Sequence, residues 1–215
     1  MHIHHSILTL AGINLHRIDF DPATLTDADL HWLPHRAALD RAVTKRRAEH
    51  LAGRIAAFRA LQAQGIDHIA GIGERRRPLW PAGWFGSISH CEGSALAAVA
   101  KRPIGVDIEK VMAAEQCREM ASGIIDAGEQ KVLEESGLPF PLALTLAFSA
   151  KESLYKALSH RIAHLPEFSA GKVEALGASA LTLRLNAGFD PALAGAVYRL
   201  PWRQSDDRVI TLASG

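Results

Sequence analysis

Residues 104–109 read Ile-Gly-Val-Asp-Ile-Glu, and this alternation of apolar and acidic side chains is typical of a β-strand with one buried face. The branched apolar residues then point into a core, while Asp107 and Glu109 share the other face, about 7 Å apart. Two carboxylates at this spacing repel each other unless a positive group lies between them. A magnesium ion, which prefers oxygen ligands, would supply that group. A polar, solvated sheet edge is the alternative that this strand alone leaves open.

Strands and helices follow one another irregularly on both sides of this stretch, which indicates an α+β fold rather than a regular βαβ alternation. Period-two patterns predict strands at 13–20, 87–90, 95–100 and 104–111 and an antiparallel sheet within 170–212. Helical spacing predicts helices at 27–33, 44–64, 113–135 (interrupted) and 149–158. The first ten residues are expected to be a frayed terminus and 71–86 a loop. A boundary at Arg102-Pro103 would divide the chain into 1–102 and 103–215.

The composition excludes several classes of protein. Of 215 residues, 48% are hydrophobic and 22% charged, so a packed core is expected rather than disorder. The net charge of +1 gives no reason to expect a nucleic-acid partner. Two cysteines are too few for a disulfide scaffold, and no apolar run approaches the ~18 residues of a transmembrane helix. A soluble, cytoplasmic protein is expected.

A second chemical motif lies in the predicted helix at 149–158. Glu152 and Lys156 are four residues apart and therefore share one helix face. Glu152 at the start of the helix could supply a third metal ligand, and Lys156 could hold a phosphate or a leaving group. The structural alternative is a capping box formed by Ser149 and Glu152, with an ordinary Glu–Lys pair beyond it.

A third motif is the segment Gly86-Ser-Ile-Ser-His-Cys91, whose small residues permit close approach of a ligand. Ser89 and His90 can donate hydrogen bonds to phosphate oxygens. His90 and Cys91 are adjacent in a strand and point to opposite faces, so a Cys–His catalytic dyad is not expected. Basic clusters at 45–47 and 75–77 are either solvated surface or the frame of one polyanionic ligand.

Together, the segments 86–90, 104–109 and 148–156 resemble the successive signature motifs of the 4'-phosphopantetheinyl transferases. The segments 45–57 and 77–81 are similar to the long, single-chain, two-lobed members of that family. The resemblance implies two similar α+β lobes related by a pseudo-twofold axis, 1–102 and 103–215. The second lobe would carry the metal site, coenzyme A would lie in the cleft between the lobes, and the protein would be a monomer.

The resemblance also implies the site residues. The Mg²⁺ ligands would be Asp107, Glu109 and Glu152, and the catalytic residues Glu152 and Lys156. The residues that bind coenzyme A would be Arg46, Arg54, Arg75, Arg76, Arg77, Ser89, His90 and Lys156.

The function implied is the Mg²⁺-dependent transfer of 4'-phosphopantetheine from coenzyme A to a serine of an apo carrier protein, with release of 3',5'-ADP. Aryl or peptidyl carrier domains of nonribosomal siderophore synthesis, of the enterobactin type, are the expected partners. A general transferase that also serves fatty-acid or polyketide carriers is the alternative within the same chemistry. A non-catalytic protein that binds coenzyme A or a carrier, and a metal-dependent phosphohydrolase, are alternatives from other classes.

Overall fold

A computed structural model describes residues 1–162 and 166–215, with the backbone alone at Arg75. It divides into two compact units, Met1–Ile104 and Gly105–Gly215, where the sequence predicted a boundary between residues 102 and 103. The strands are β1 (Ile3–Leu10), β2 (Ile13–Phe20), β3 (Gly71–Ile72), β4 (Pro78–Leu79), β5 (Phe85–Cys91), β6 (Ser94–Ala100), β7 (Ile104–Lys110), β8 (Gly171–Leu176), β9 (Ala180–Leu185), β10 (Val197–Ser205) and β11 (Arg208–Ser214). The α-helices are α1 (Asp27–Leu30), α2 (Thr44–Gln62), α3 (Ala114–Ile124), α4 (Ala127–Glu134) and α5 (Phe140–Leu158).

The first unit is built on a four-stranded sheet in the order β1-β2-β6-β5, with antiparallel neighbours. Helix α2 packs on this sheet through its alanines. A Cβ on Gly53 of α2 would lie only 2.8 Å from Cγ2 of Ile88, so the glycine lets the helix approach β5 closely. This close packing places the N-terminal half of α2 beside the end of β5 that carries His90.

The N-terminus differs from the expectation of a frayed segment. Residues 3–10 form β1, which pairs with β2 from Ile3↔Phe20 to Leu10↔Ile13. The turn residues Ala11 and Gly12 both have positive φ, 48° and 77°, as a two-residue hairpin turn requires. The strand was missed because two histidines interrupt its apolar pattern and Ala-Gly is not a common turn signal.

The second unit is a five-stranded sheet in the order β7-β11-β10-β9-β8, which α5 covers mainly at β11. The antiparallel tail sheet and the interrupted helix at 113–135 are confirmed as β8–β11 and as α3 with α4. The start of α5 was predicted wrongly. The helix begins at Phe140 with a proline in its first turn, nine residues before Ser149, and its buried first half is apolar on most sides, which hides helical periodicity.

The α+β class is confirmed by both units. The segment predicted as a loop at 71–86 contains the short hairpin β3–β4 and the start of β5. None of the helices in the described part of the chain is long and apolar enough to span a membrane.

Candidate active site

The two carboxylates of β7 lie in the second unit, on the strand next to β11. The apolar residues of β7 are buried as the alternation predicted, but Asp107 is buried as well, with 1% of its surface exposed. Glu109 is half-buried. The alternative of a solvated sheet edge is therefore wrong. A carboxylate buried to this extent needs a cationic or hydrogen-bonding partner.

Helix α5 reaches β7 at a glycine. A Cβ on Gly105 would overlap the carbonyl oxygen of Ser153 and would lie 2.6 Å from the backbone nitrogen of Ala157. The helix backbone thus rests directly on the strand, which only glycine permits. This contact brings the face of α5 that carries Glu152 and Lys156 beside the carboxylates.

Lys156 meets Asp107 at this contact. Its Nζ donates a 2.6 Å hydrogen bond to Asp107 Oδ1 and a weaker one, at 3.4 Å, to the carbonyl oxygen of Val106. The lysine side chain is 24% exposed and the aspartate 2%. The ammonium group therefore holds a buried carboxylate while part of it faces outward.

The three carboxylates perturb one another. Burial, and then the charge of Asp107, raises the pKa of Glu109 to about 8; Glu152 adds to the rise and Lys156 opposes it. Burial also raises the pKa of Glu152, with Asp107 adding to this and Lys156 again opposing it. Three carboxylates and one ammonium leave an excess of two negative charges when all are ionised. The site is thus short of positive charge.

In the described residues, no three histidine, cysteine, aspartate or glutamate side chains meet closely enough to hold a metal ion as they stand. The donors nevertheless fit a hard divalent cation, since all are carboxylates and their excess charge equals that of the ion. Ser149 does not cap the helix with Glu152, because it lies mid-helix, fully buried, and hydrogen-bonds to Thr211. The capping-box alternative is wrong.

Lys151, which precedes Glu152 in the same motif, turns away from the site. Its Nζ lies 2.6 Å from Glu129 Oε1 and also donates to the carbonyl oxygens of Ile124 and Phe168, at 2.6 and 3.1 Å. Burial lowers the pKa of Lys151, and Glu129 opposes that shift. This residue ties α5 to α4 and to the end of α3, so its role is structural.

Four of the predicted coenzyme A residues of the first unit line a cavity of about 550 Å³: Arg46, Arg54, Arg76 and His90. The Arg46 guanidinium donates a 2.9 Å hydrogen bond to Nε2 of His90, and Glu49 lies 3.6 Å from Arg46 and 3.7 Å from His90 Nδ1. Arg54 and Arg76 line the same cavity. Arg54 is buried, and burial together with Arg46 lowers its pKa to about 10.

Two other predicted residues, Ser89 and Arg77, do not line this cavity. Ser89 is buried on β5 between Ile88 and His90, which both line the cavity, so strand alternation turns Ser89 to the opposite face of the sheet. Arg77 follows the short helical turn at 74–76. The side chain of Arg75 lies outside the described residues.

Three titratable residues that line the cavity were not singled out from the sequence: Arg41, Glu49 and His50. His50 Nε2 lies 2.9 Å from Nε2 of His35, and burial, Arg54 and His35 lower its pKa to about 3. Glu49 and His50 follow Arg46 by three and four residues, a spacing that places them near it on the helix. That spacing was the available signal.

Comparisons with known proteins agree with these features. The family model for the 4'-phosphopantetheinyl transferase N-terminal domain matches residues 34–100, and that for the 4'-phosphopantetheinyl transferase superfamily matches residues 103–213. The chain is 50% identical over 210 residues to the enterobactin synthase component D of Salmonella typhimurium, which covers 98% of this chain and 89% of that protein. It is 52% identical over 153 residues to the protein of the same name from Escherichia coli, covering 71% of this chain and 74% of that protein.

A more distant similarity is to the 4'-phosphopantetheinyl transferase PptT of Mycobacterium tuberculosis, with 34% identity over 148 residues, 64% of this chain and 60% of that protein. The resemblance drawn from the three sequence motifs is confirmed by these matches.

Proposed function

This chain belongs to the 4'-phosphopantetheinyl transferase superfamily, and from that premise we propose that it moves the phosphopantetheine arm of coenzyme A onto a serine of an apo carrier protein, releasing 3',5'-ADP. The observation that carries the proposal is the group of Asp107, Glu109, Glu152 and Lys156 in the unit Gly105–Gly215. A site short of positive charge and provided with a lysine suits a phosphate-transfer reaction.

Asp107, Glu109 and Glu152 would hold a Mg²⁺ ion. The raised pKa of Glu109, about 8, supports this, because the carboxyl keeps its proton where no further cation is present. When bound, the ion would neutralise negative charge on the pyrophosphate of coenzyme A.

Glu152 is proposed as the base that takes the proton of the carrier serine hydroxyl. In the metal-free site, burial and Asp107 raise the pKa of Glu152 above its ordinary value, and a carboxylate is among the side chains that serve as general bases. The serine oxygen then attacks the phosphorus atom bonded to pantetheine, and the bond to the 3',5'-ADP phosphate breaks. Lys156 has three N–H donors, so it can keep its hydrogen bond to Asp107 and still donate to a phosphate oxygen.

Arg46, Arg54, Arg76 and His90 would bind the nucleotide end of coenzyme A. They line one cavity of about 550 Å³, within the usual range of ligand pockets, and their charge suits the 3'-phosphate. Arg75, Arg77 and Ser89 stay predictions from the family motifs.

Aryl or peptidyl carrier domains of nonribosomal siderophore synthesis are the proposed partners. The similarity to proteins named enterobactin synthase component D supports this choice, since it extends over nearly the whole chain. A general transferase for fatty-acid or polyketide carriers would share the same site. The non-catalytic alternative is disfavoured, because all three carboxylates and Lys156 are present. The cytoplasmic location and the monomeric state stay predictions.

One assay tests the proposal. The protein is incubated with coenzyme A, Mg²⁺ and a panel of purified apo carriers, and intact masses are recorded. We expect a gain of ~340 Da on an aryl or peptidyl carrier, dependent on Mg²⁺. Equal modification of a fatty-acid carrier would favour the general transferase, and no gain on any carrier by the folded protein would refute the function.

The same assay tests the metal site. Asp107→Ala removes one proposed ligand and the partner of Lys156. We expect at least a ~10³-fold loss of transfer with the circular dichroism spectrum retained. Replacement of the exposed Glu119 by alanine serves as the control. It should change neither the transfer rate nor the circular dichroism spectrum. Full activity of Asp107→Ala at limiting Mg²⁺ would contradict the ligand assignment.

A further inference from the structure

Three buried hydroxyl groups join α5 to β11 within the second unit. Ser149 and Ser153 of α5 and Thr211 of β11 have no exposed surface. Thr211 Oγ1 lies 2.9 Å from Ser149 Oγ and 2.7 Å from Ser153 Oγ. It also lies 2.9 Å from the carbonyl oxygen of Ser149, to which it donates. One hydroxyl of the strand thus contacts two consecutive turns of the helix.

The number of hydroxyl protons limits the directions of these bonds. The single Thr211 hydroxyl proton goes to the Ser149 carbonyl oxygen. Ser149 Oγ then donates to Thr211 Oγ1, and the single proton of Ser153 is shared between Thr211 Oγ1 and the Thr211 carbonyl oxygen, at 2.7 and 3.1 Å. The Thr211 hydroxyl then donates once and accepts twice, which is its full capacity. A filled set of directional bonds restricts both rotation and sliding of the helix far more than apolar contact does.

The residues that this cluster fixes include the proposed base. Glu152 lies three residues after Ser149 and Lys156 lies three residues after Ser153, so each of these two site residues is a near neighbour of one cluster serine on the surface of α5. The Gly105 contact, at Ser153 and Ala157, sets the depth of the helix on β7. The hydroxyl cluster sets its rotation and register on β11, the neighbour of β7 in the sheet.

We propose that Thr211 is a positioning residue for the transfer reaction. Its hydroxyl holds α5 in the rotation at which Glu152 and Lys156 face Asp107 and Glu109. This inference rests on the proposed function. It assigns a role to a residue in the last strand, 55 positions beyond the last of the three signature motifs.

The physical consequence of losing the hydroxyl is specific. In a Thr211→Val variant the side-chain shape is kept, but Ser149 loses its acceptor. A serine without an acceptor turns back to the carbonyl oxygen four residues earlier in its helix and bends it. The helix would then shift at Ser149 and Ser153, and a displacement near 1 Å at the reacting groups lowers rates by ~10²-fold.

The test compares Thr211→Val with two matched variants in the carrier-modification assay. Thr211→Ser keeps the hydroxyl. Val209→Ala truncates a fully buried residue two positions earlier on the same face of β11, and it destabilises the same interface without touching a hydroxyl. All measurements are made at a temperature where circular dichroism shows each protein fully folded.

For Thr211→Val we expect a ~10- to 100-fold lower kcat with KM for coenzyme A within about threefold of the unchanged protein. Thr211→Ser should recover at least about half of the lost activity, and Val209→Ala should keep the original kcat. Should Thr211→Val fail to fold, Ser153→Ala, which removes the bonds of the Ser153 hydroxyl to Thr211 and little volume, should lower kcat in the same manner.

Two outcomes would overturn the inference: a Thr211→Val enzyme with unchanged kcat, or a loss of kcat in Val209→Ala equal to that in Thr211→Val, which would show a merely structural role. A failure of the proposed function is distinguishable from both, because the unsubstituted protein would then modify no carrier.

Discussion

Loss of the buried ion pair between Lys151 and Glu129 should lower the free energy of unfolding by an amount that follows from the burial of both side chains. The Lys151 side chain is 5% exposed and that of Glu129 3%. Lys151→Met keeps the length and apolar stem of the side chain but removes its charge. Glu129 would then stay buried with only the more exposed Lys172, 3.8 Å away, as a cationic partner, and two carbonyl oxygens would lose a donor.

Breaking a buried pair from one side costs about 3–5 kcal/mol. For a chain of this size that corresponds to a fall in Tm of roughly 6–20 °C. Glu129 would keep its two backbone donors, Asp126 N at 3.0 Å and Val173 N at 2.9 Å, so the lower part of the range is expected. The measurement is urea unfolding followed by circular dichroism, with the transition of the unit 105–215 analysed.

Lys131→Met is the matched control. Lys131 and Glu135 form the same kind of pair at 3.8 Å on the surface, where their side chains are 75% and 66% exposed. Loss of this surface pair should lower the free energy of unfolding by under about 0.5 kcal/mol. The double variant Lys151→Met/Glu129→Gln should recover part of the loss, giving a coupling energy above about 1 kcal/mol. A cost for Lys151→Met no larger than that of Lys131→Met would refute the reasoning.

Two further predictions concern the proposed ligands. At limiting Mg²⁺, transfer should rise about tenfold per pH unit up to about pH 8, because the raised pKa of Glu109, about 8, means that the cation must displace a proton that this carboxyl holds at lower pH. Initial rates from pH 6 to 9 measure this, and a slope that persists in Glu109→Gln would contradict it. Arg54→Met should raise KM for coenzyme A by about tenfold with kcat unchanged, since a hydrogen bond to a charged group is worth about 1.5–3 kcal/mol. The effect should vanish with 3'-dephospho-coenzyme A as substrate, and an equal loss with both substrates would place Arg54 away from the 3'-phosphate.

Local patterns predicted the elements whose residues interact with near neighbours in the chain. The helix at 44–64 was confirmed within two residues as Thr44–Gln62, because one stripe of it packs on a sheet. The strand at 104–111 was confirmed as Ile104–Lys110. Two failures have a common cause: β1 is defined by its pairing with β2, and the first half of α5 is buried on most sides, so neither shows a clear periodicity of its own.

The sequence by itself determined the α+β class, the family and the presence of Asp107, Glu109, Glu152 and Lys156, because motif residues and their order are local properties of the chain. Only the tertiary structure decided what each charged or hydroxyl group does. Lys151 and Lys156 stand five residues apart in one motif, yet the first pairs with Glu129 and the second with Asp107. Thr211 became a candidate only through its contact with Ser149 and Ser153. Such partners lie 22 to 62 residues apart in the chain, and burial, which sets the strength of these interactions, exists only once the chain has folded.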